Sequence, residues 1–342
     1  MKILIISNMY PSPQKPYSGI FVKNQYDYLK KELNQDIEIY AMERSFTNKI
    51  GSIFKYLKAF LLFFPYLFKK YDVIHLHYFF PMVILSVFYK ILYPKTKIVV
   101  TFHGSDITNF VNSNLSKRFF TKLIDRCDYI ISVGSDLSEI IFKKLNKKSD
   151  LVLSAGIDER VFYEEESIKK EYDFIFVGSF IKRKGLDILL KAIQIVDNKN
   201  IRYCIVGSGV LEKNVLEVSK KYNIILLKNQ TQEQLRTLYN QSKFFILPSR
   251  DEPFGLVVSE AIFCGTPAIV SNIGGMKDQV KDGINGFILK ENTHDELAKK
   301  IKEVENISEK EYKQLSVNAL NSNQEHSLEN ISKKLIEIYN EL

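Results

Sequence analysis

Short apolar segments rich in Val, Ile, Leu and Phe recur along the chain, separated by longer stretches in which apolar residues follow helical spacing. Because these segments do not alternate with polar residues, they indicate strands buried on both faces, as in parallel sheets covered by helices. The strands predicted in the first half are Lys2–Ser7, Ile37–Met42, Val73–His77, Lys97–Phe102, Tyr129–Val133 and Leu151–Leu153. Those predicted in the second half are Phe174–Val177, Arg202–Val206, Ile224–Leu227, Phe244–Leu247, Ala268–Val270 and Gly286–Leu289.

Two such sets in tandem predict an α/β protein with two doubly wound domains, and the length of 342 residues also favours two domains. The polar stretch 164–171 separates the sets, so we expect a first domain over 1–165 and a second over 172–325. The final segment, 326–342, has apolar residues at helical spacing and is predicted to form one more helix. In doubly wound sheets ligands bind at the carboxyl ends of the strands, so functional residues are expected in the loops that follow them.

The segment that follows the strand Phe244–Leu247 combines a small-residue turn, a short helix and two carboxylates. The turn at 254–256 leaves backbone N–H groups without helical partners, which makes an anion site, and Gly265 is placed to end the helix in a left-handed conformation. Glu252 lies just before this helix and Glu260 lies about a turn inside it. Two carboxylates beside an anion site suit a ligand with both hydroxyls and phosphates, such as a nucleotide sugar.

This segment resembles the signature of the retaining glycosyltransferases of family 4, which have the two-domain GT-B fold. The signature is a Glu-x7-Glu pair in a segment that ends Ala-x-x-x-Gly-x-Pro, matched here by Glu252, Glu260, Ala261, Gly265 and Pro267. The resemblance extends over nearly the whole chain. It implies two Rossmann-like domains that face each other across a cleft, with the C-terminal helix crossing back to the first domain.

The resemblance also implies how this segment would bind a donor. Glu260 would hold the ribose hydroxyls, and Glu252 would hold a hydroxyl of the sugar. The backbone amides that would bind the diphosphate are those of Phe254, Gly255, Leu256 and Val257.

A second part of the implied donor site is the loop after the strand Phe174–Val177. Lys184 and Gly185 match the Lys-Gly of the family, whose Lys binds the diphosphate, whereas Ser179 stands where the family commonly has Arg. Arg183 is an alternative cation beside Lys184. These positive side chains would neutralise the nucleoside diphosphate as it leaves.

Two glycines complete the implied donor site. Gly19 ends the N-terminal loop and resembles the glycine whose backbone approaches the donor phosphate, where no side chain would be tolerated. Gly207, in Gly207-Ser208-Gly209, resembles the Gly-x-Gly turn beside the nucleoside. Neither loop contains Gly-x-Gly-x-x-Gly, so a dinucleotide-dependent dehydrogenase is disfavoured.

Histidines at the strand ends of the first half are the remaining candidates. His103 ends a strand, and the resemblance directs its ring toward the donor sugar. Asp106 would orient His103 or an acceptor hydroxyl, while His75 and His77 are open between a structural and an acceptor-lining role. The predicted catalytic residues are therefore His103, Glu252 and Lys184.

The sequence offers no cluster of His, Asp and Glu with metal-ligand spacing, so we predict an enzyme that needs neither metal nor cofactor and uses the nucleoside diphosphate sugar as a substrate. The cysteines Cys127, Cys204 and Cys264 form no Cys-x-x-Cys pair, which argues against a disulfide framework and a zinc site. The apolar run at 1–7 is short for a signal peptide. A cytoplasmic location is therefore expected.

The net charge of +8 is concentrated in the first half, where residues 1–160 hold 23 Lys and Arg against 14 Asp and Glu. No nucleic-acid motif accompanies this charge, so an anionic membrane surface or a phosphate-linked acceptor fits better, with a compositional bias toward lysine as the alternative. Residues 49–70 have the composition of an interfacial amphipathic helix, and packing against the sheet is equally compatible with it. The apolar positions are Ile50, Ile53, Phe54, Leu57, Phe60, Leu61 and Phe64, and the lysines are Lys49, Lys55, Lys58, Lys69 and Lys70.

The resemblance is closest to the polysaccharide-assembly branch of the family, and it implies a retaining hexosyltransferase that makes capsule, teichuronic-type, lipopolysaccharide or exopolysaccharide units. It would move a sugar from a nucleoside diphosphate to a hydroxyl of a lipid-linked saccharide at the inner face of the cytoplasmic membrane, without binding nucleic acid. Two alternatives stay open. One is a sugar-nucleotide 2-epimerase on the same fold, and the other is a nonenzymatic nucleotide-binding subunit of a transferase complex, favoured by Ser179 in place of Arg.

Overall fold

The computed structural model describes residues 1–12, 18–42, 58–108 and 114–342. The chain forms two compact units. The first consists of Met1–Gly156 with Leu328–Leu342, and the second of Ile157–Ser327. Part of the predicted N-terminal loop (Pro13, Pro16 and Tyr17) and part of the predicted amphipathic helix (Lys49, Ile50, Ile53, Phe54, Lys55 and Leu57) lie outside the described residues.

The first unit is built on a six-stranded, wholly parallel sheet with the order β2-β1-β3-β4-β5-β6. Its strands are β1 (Lys2–Ser7), β2 (Asp36–Ala41), β3 (Val73–His77), β4 (Lys97–Phe102), β5 (Tyr129–Ser132) and β6 (Leu151–Val152). β1 and β3 are almost completely buried, as expected for central strands covered on both faces.

Helices cover both faces of this sheet. They are α1 (Ile20–Lys31), α2 (described over 58–63), α3 (Val83–Leu92), α4 (Ser105–Thr108), α5 (Asn114–Ile124), α6 (Ser135–Leu145) and α14 (Leu328–Glu341). The apolar face of α14, with Leu335 and Tyr339, shares one core with Val22 of α1 and Ile3 and Ile5 of β1. The last helix of the chain therefore packs on the unit that contains the first strand.

The second unit contains a six-stranded parallel sheet with the order β12-β11-β10-β7-β8-β9. Its strands are β7 (Tyr172–Val177), β8 (Tyr203–Val206), β9 (Ile224–Leu227), β10 (Ser242–Leu247), β11 (Ala268–Ser271) and β12 (Gly286–Leu289). In chain order this is the Rossmann arrangement, in which the two halves of the sheet meet where β7 pairs with β10. All twelve predicted strands are thus confirmed, with ends that differ by two residues at most.

The helices of the second unit enclose a single large core. They are α7 (Leu186–Val196), α8 (Glu212–Ser219), α9 (Gln232–Asn240), α10 (Leu256–Phe263), α11 (Met276–Gln279), α12 (His294–Glu305) and α13 (Glu309–Asn321). α9 and α13 begin with complete capping boxes, which satisfy the first amides of each helix.

The observed division between the units falls at 156/157, nine residues before the predicted end of the first domain at 165. The N–H of Ile157 donates to the carbonyl of His326 at 2.9 Å, and Ile157 also bridges to Ser327. Phe162 is buried in the core of the second unit. Backbone pairing and one aromatic ring therefore attach this segment to the second unit. The predicted linker at 164–171 was based only on the polarity of that stretch.

The order of strands determines which loops share an edge. In the second sheet, neighbouring strands β7 and β10 are both parallel, so the loops that follow them, 178–185 and 248–255, leave the sheet side by side. In the first sheet, the residues that follow β3 and β4 are neighbours for the same reason. In the second sheet the β7–β10 edge is also the point where strand order reverses, which is where open α/β sheets bind ligands.

Candidate active site

An ion pair joins the two neighbouring loops of the second unit. The ammonium of Lys184, from the loop after β7, donates a hydrogen bond to Glu252 Oε2, from the loop after β10. Their side chains are only 16% and 10% exposed. Two residues that the sequence predicted to belong to one site, 68 positions apart in the chain, are therefore in direct contact.

A second set of contacts fixes the distance between these loops. The Arg250 guanidinium donates two hydrogen bonds to the carboxylate of Asp187, at 2.7 and 2.9 Å, and a third to the carbonyl of Lys182. Gly185 has φ +72°, and a Cβ there would overlap the carbonyl of Pro248. Arg250 and Asp187 were not predicted from the sequence, because neither belongs to a recognisable motif and only tertiary pairing joins them.

The other predicted residues of the β7 loop are exposed. Arg183 donates to the carbonyl of Asp251 at 3.2 Å and lies 3.7 Å from its carboxylate. Ser179 is exposed and accepts the N–H of Ile181 at its carbonyl, at 2.9 Å. Both residues lie on the loop that carries Lys184, and their predicted roles toward a diphosphate stay predictions.

The start of α10 has the form that the sequence predicted. Gly255, with φ +89°, precedes the helix and offers no side-chain cap, so the amides of Leu256 and Val257 begin the helix without intrahelical acceptors. The carbonyl of Phe254 accepts from the buried amide of Gln279 at 2.7 Å, which holds this turn in place. The predicted left-handed Gly265 after the helix is confirmed, with φ +68°.

The second glutamate of the signature is held by a buried tyrosine. The hydroxyl of Tyr239, from α9, donates to Glu260 Oε2 at 2.9 Å. Burial raises the pKa of Glu260 to about 7, an effect that the Tyr239 hydrogen bond partly opposes. The side chain of Glu260 is half-buried and that of Tyr239 fully buried, so the carboxylate has one oxygen fixed from the core side. Tyr239 was not predicted as a site residue, because a tyrosine on an amphipathic helix is usually part of the core.

Gly207 serves the packing of two loops against each other. It has φ +145°, and a Cβ would overlap the carbonyl of Gly178, which follows β7. The N–H of Gly207 donates to the carbonyl of Leu227 at 2.9 Å, and the neighbouring Ser208 accepts the N–H of Phe180 at 2.8 Å. A glycine is therefore required here by the protein's own backbone, whatever role it has toward a nucleoside.

In the first unit, His103 follows β4 in an aromatic environment. Its ring lies 4.9 Å from that of Phe21 and 4.5 Å from that of Tyr78, between centroids, and its Nε2 lies 3.2 Å from Nδ1 of His77. Asp106 accepts the backbone N–H of His103 at 3.3 Å, and among the described residues it has no hydrogen bond to the His103 ring. It accepts backbone N–H groups instead, including those of Gly104 at 2.9 Å and Phe79 at 3.0 Å, so it shapes the turn that carries His103.

The remaining predicted residues of the first unit have internal partners. His75 is buried between the hydroxyls of Tyr339, at 2.5 Å, and Thr101, at 2.8 Å, which supports a structural role for this histidine. Gly19 has φ +70°, and a Cβ there would lie 2.5 Å from the carbonyl oxygen of Met9. The predicted intolerance of Gly19 to side chains thus has a cause within the first unit itself.

Over the described ranges, no group of three or more His, Cys, Asp or Glu side chains is arranged to hold a metal ion. The expected metal independence stays a prediction that a binding experiment can test.

Gly274 provides a test of how tightly the Glu252 loop is packed. Its φ is +53°, and a Cβ would overlap the carbonyl of Glu252. Gly283 has a similar φ of +72° with open space around it, so Gly283→Ala adds backbone strain of only about 1 kcal/mol. We expect Gly274→Ala to lower the free energy of unfolding by at least about 2 kcal/mol more than Gly283→Ala, measured by urea denaturation. Equal losses would show that the loop moves aside at little cost.

Glu260 should make stability depend on pH. Because its pKa rises from the ordinary value to about 7 on folding, the folded state binds the proton more tightly, and stability falls as pH rises from about 4.5 to 7. Glu260→Gln removes this loss while keeping an acceptor for Tyr239. We expect it to raise the melting temperature by about 5 °C at pH 8, and by progressively less toward pH 5. Glu217→Gln, at an exposed position of α8, is the matched control. If Glu260→Gln changed the melting temperature equally at pH 8 and at pH 5, the pKa of Glu260 would not be raised by burial.

Comparison with known proteins gives two family matches that together span 27–322. Residues 27–159 match the model for Glycosyltransferase Family 4, and residues 158–322 match the model for Glycosyl transferases group 1. An uncharacterized glycosyltransferase of Methanocaldococcus jannaschii is 29% identical over 367 aligned positions, which cover 99% of both chains. The capsular polysaccharide biosynthesis glycosyltransferase CapM of Staphylococcus aureus is 29% identical over 38% of this chain and 36% of its own.

Solved structures share the architecture of the whole chain. Sucrose-phosphate synthase from Thermosynechococcus elongatus superposes with a TM-score of 0.78 at 18% identity, covering 100% of this chain and 99% of its own. HepE from Anabaena, in complex with UDP and glucose, has a TM-score of 0.76 at 15% identity and covers 100% of both chains. With its two parallel sheets and these matches, the chain belongs to the family 4 glycosyltransferases and has the GT-B fold.

Proposed function

We propose that the protein transfers a hexose, with retention of configuration, from a nucleoside diphosphate to a hydroxyl of a lipid-linked saccharide in the synthesis of a surface polysaccharide. The observation that carries the proposal is the contact between Lys184 and Glu252 at the carboxyl edge of the second sheet, next to the free amides of α10. The capsular role of the CapM relative supports the polysaccharide pathway, and the UDP complex of HepE supports a nucleotide-sugar donor.

Each side chain of this site has a chemical task in the proposal. The ammonium of Lys184, the guanidinium of Arg183 and the amides of Leu256 and Val257 bind the diphosphate and stabilise the charge that grows on it as the glycosidic bond breaks. Such positive groups can act without a metal ion. In the absence of donor, Glu252 neutralises Lys184, so the ammonium is already held at the loop edge before a phosphate arrives.

The carboxylates bind hydroxyl groups in the proposal. Glu260 holds the ribose hydroxyls with the oxygen that Tyr239 leaves available, and Glu252 binds a hydroxyl of the sugar once the diphosphate takes over Lys184. With retention and no enzymatic nucleophile, the leaving phosphate deprotonates the acceptor on the face that it has left. Catalysis then rests on positioning and on charge stabilisation.

The donor site is tested by calorimetric titration with UDP, GDP, ADP and dTDP in the presence of EDTA. We expect one of the four to bind, and Glu260→Ala to weaken that binding at least about tenfold because two charge-assisted hydrogen bonds are lost. Glu217→Ala should bind like the wild type. If none of the four binds, the donor proposal is wrong, and if binding is restored only by added Mg²⁺, metal independence is wrong.

Transfer is tested with the matching glucose conjugate of the nucleotide that binds. Glu252→Ala should abolish release of the nucleoside diphosphate but leave the fold intact, as judged by its melting temperature. Interconversion of the sugar with its 2-epimer without any acceptor would identify the epimerase instead. A partner transferase that stays active with Glu252→Ala would identify the nonenzymatic subunit.

We also propose that the first unit binds the inner surface of the cytoplasmic membrane, where a lipid-linked acceptor is located. Leu61, Phe68 and Ile91 are 68%, 73% and 69% exposed. They belong to segments tied together by a hydrogen bond from the Tyr93 hydroxyl to the carbonyl of Leu67 at 2.8 Å. Lysines accompany these segments, which suits an anionic lipid surface: Lys58, Lys69, Lys70, Lys90 and Lys95. In the part of the chain that the structure describes, no helix is long and apolar enough to span a bilayer.

Vesicle flotation tests this surface. The rings of Phe64 and Phe68 lie 5.0 Å apart between centroids. Replacing both residues with Ser should reduce binding to vesicles that contain phosphatidylglycerol on the order of tenfold, because apolar area is lost from the interface. Phe142→Ser, at an exposed ring on α6, is the control and should bind like the wild type. Equal binding of the double variant and the control would exclude this surface.

A further inference from the structure

Three histidine rings form a stack at the carboxyl edge of the first sheet. His75 and His77, on β3, lie 4.5 Å apart between ring centroids, and His103, after β4, lies 5.4 Å from His77. His77 is the middle ring and is almost completely buried. Its Nδ1 lies 3.2 Å from Nε2 of His103, so one of the two nitrogens carries the hydrogen of this contact.

Both members of the pair are neutral at physiological pH. Burial lowers the pKa of His77 to about 3 and holds the pKa of His103 well below its usual range. Two neutral imidazoles have one N–H each. Either His77 donates from Nδ1 and His103 keeps its own hydrogen on Nδ1, or His103 donates from Nε2 and His77 keeps its hydrogen on Nε2.

The surroundings of His77 Nε2 distinguish the two arrangements. This nitrogen is buried and has no hydrogen-bond partner among the described residues. In the second arrangement it would be a buried N–H without an acceptor, which folded proteins rarely tolerate, whereas the first leaves a bare acceptor, which is the less costly defect. The first arrangement is therefore favoured, and it leaves His103 with its N–H at Nδ1.

We propose that His77 is a positioning residue that holds His103 as the Nδ1–H tautomer, so that the half-buried His103 ring presents a hydrogen-bond donor to a substrate oxygen. His103 Nδ1 has no partner among the described residues, whereas its Nε2 is occupied by His77. The substrate atom is accordingly an acceptor, either a sugar hydroxyl oxygen or a phosphate oxygen. This inference rests on the proposed transferase site.

The tautomer is measured directly by ¹⁵N-imidazole NMR of the free protein. The chain has only five histidines, so single substitutions assign every ring, and His294→Leu serves as the control that leaves the stack unchanged. We expect His103 to be protonated at Nδ1 in the wild type and in His77→Asn, whose amide N–H replaces the Nδ1 donor. In His77→Leu, which has no donor, the His103 proton should move to Nε2 in at least part of the population.

Kinetics provides the second readout, with the glucose conjugates of UDP, GDP, ADP and dTDP as probes. His77→Leu should lower kcat/KM on the order of tenfold, the value of one correctly directed hydrogen bond, while His77→Asn should stay within about twofold of the wild type. If the role of His77 were purely structural, the loss of kcat/KM in the Asn and Leu variants would follow the order of their melting temperatures. The tautomer of His103 would then stay unchanged.

The inference is overturned if wild-type His103 is protonated at Nε2, or if His77→Leu leaves its tautomer unchanged. It is also overturned if His77→Asn restores the tautomer but not the turnover. If the wild type turns over none of the four conjugates, the proposed function is at fault, and the NMR result still decides whether His77 sets the tautomer of His103.

Discussion

The pairing of β7 with β10 is the constraint on which the candidate active site depends. These strands are far apart in the sequence, yet they are neighbours at the point where the order of the second sheet reverses. Since both are parallel, the loops after them leave the sheet at the same edge, where Lys184 reaches Glu252. The Arg250–Asp187 pair and the close approach of Gly185 to Pro248 then fix the loops against each other. The register of two strands thus determines the chemistry that the edge can support.

The second unit keeps its functional groups in environments that are costly for stability. Glu260 is a carboxylate whose pKa is raised by burial, and it is offered a single hydrogen bond from the core side, from Tyr239. The start of α10 leaves amides without intrahelical acceptors and has no side-chain cap. Polar groups that lack hydrogen-bond partners within the protein can form strong hydrogen bonds with a ligand. The large apolar core beneath them supplies the stability that offsets this cost.

The first unit uses its buried polar groups differently. His75 is satisfied by Tyr339 and Thr101, which links the core of the sheet to the C-terminal helix. Asp106 gathers backbone amides and thereby fixes the turn after β4. Of the two histidines on β3, only His77 has a buried ring nitrogen without a hydrogen-bond partner among the described residues. His77 is also the residue in contact with His103. His75 and His77 thus lie on one face of β3, separated by a single residue, and their side chains have different surroundings.

The sequence by itself determined the twelve strands, the two-sheet architecture and the family, because unbroken runs of Val, Ile, Leu and Phe and the Glu-x7-Glu signature are local patterns. It also predicted that Lys184 and Glu252 belong to one site, although nothing in the sequence shows that they touch. Tertiary structure alone decided the contacts: Tyr239 beneath Glu260, Arg250 on Asp187, and His77 against His103. It also decided that 157–165 belongs to the second unit, because Ile157 pairs with His326 and Ser327. Local patterns reveal which residues are buried or conformationally special, but the partner of a side chain depends on strand order and helix packing, which bring distant parts of the chain together.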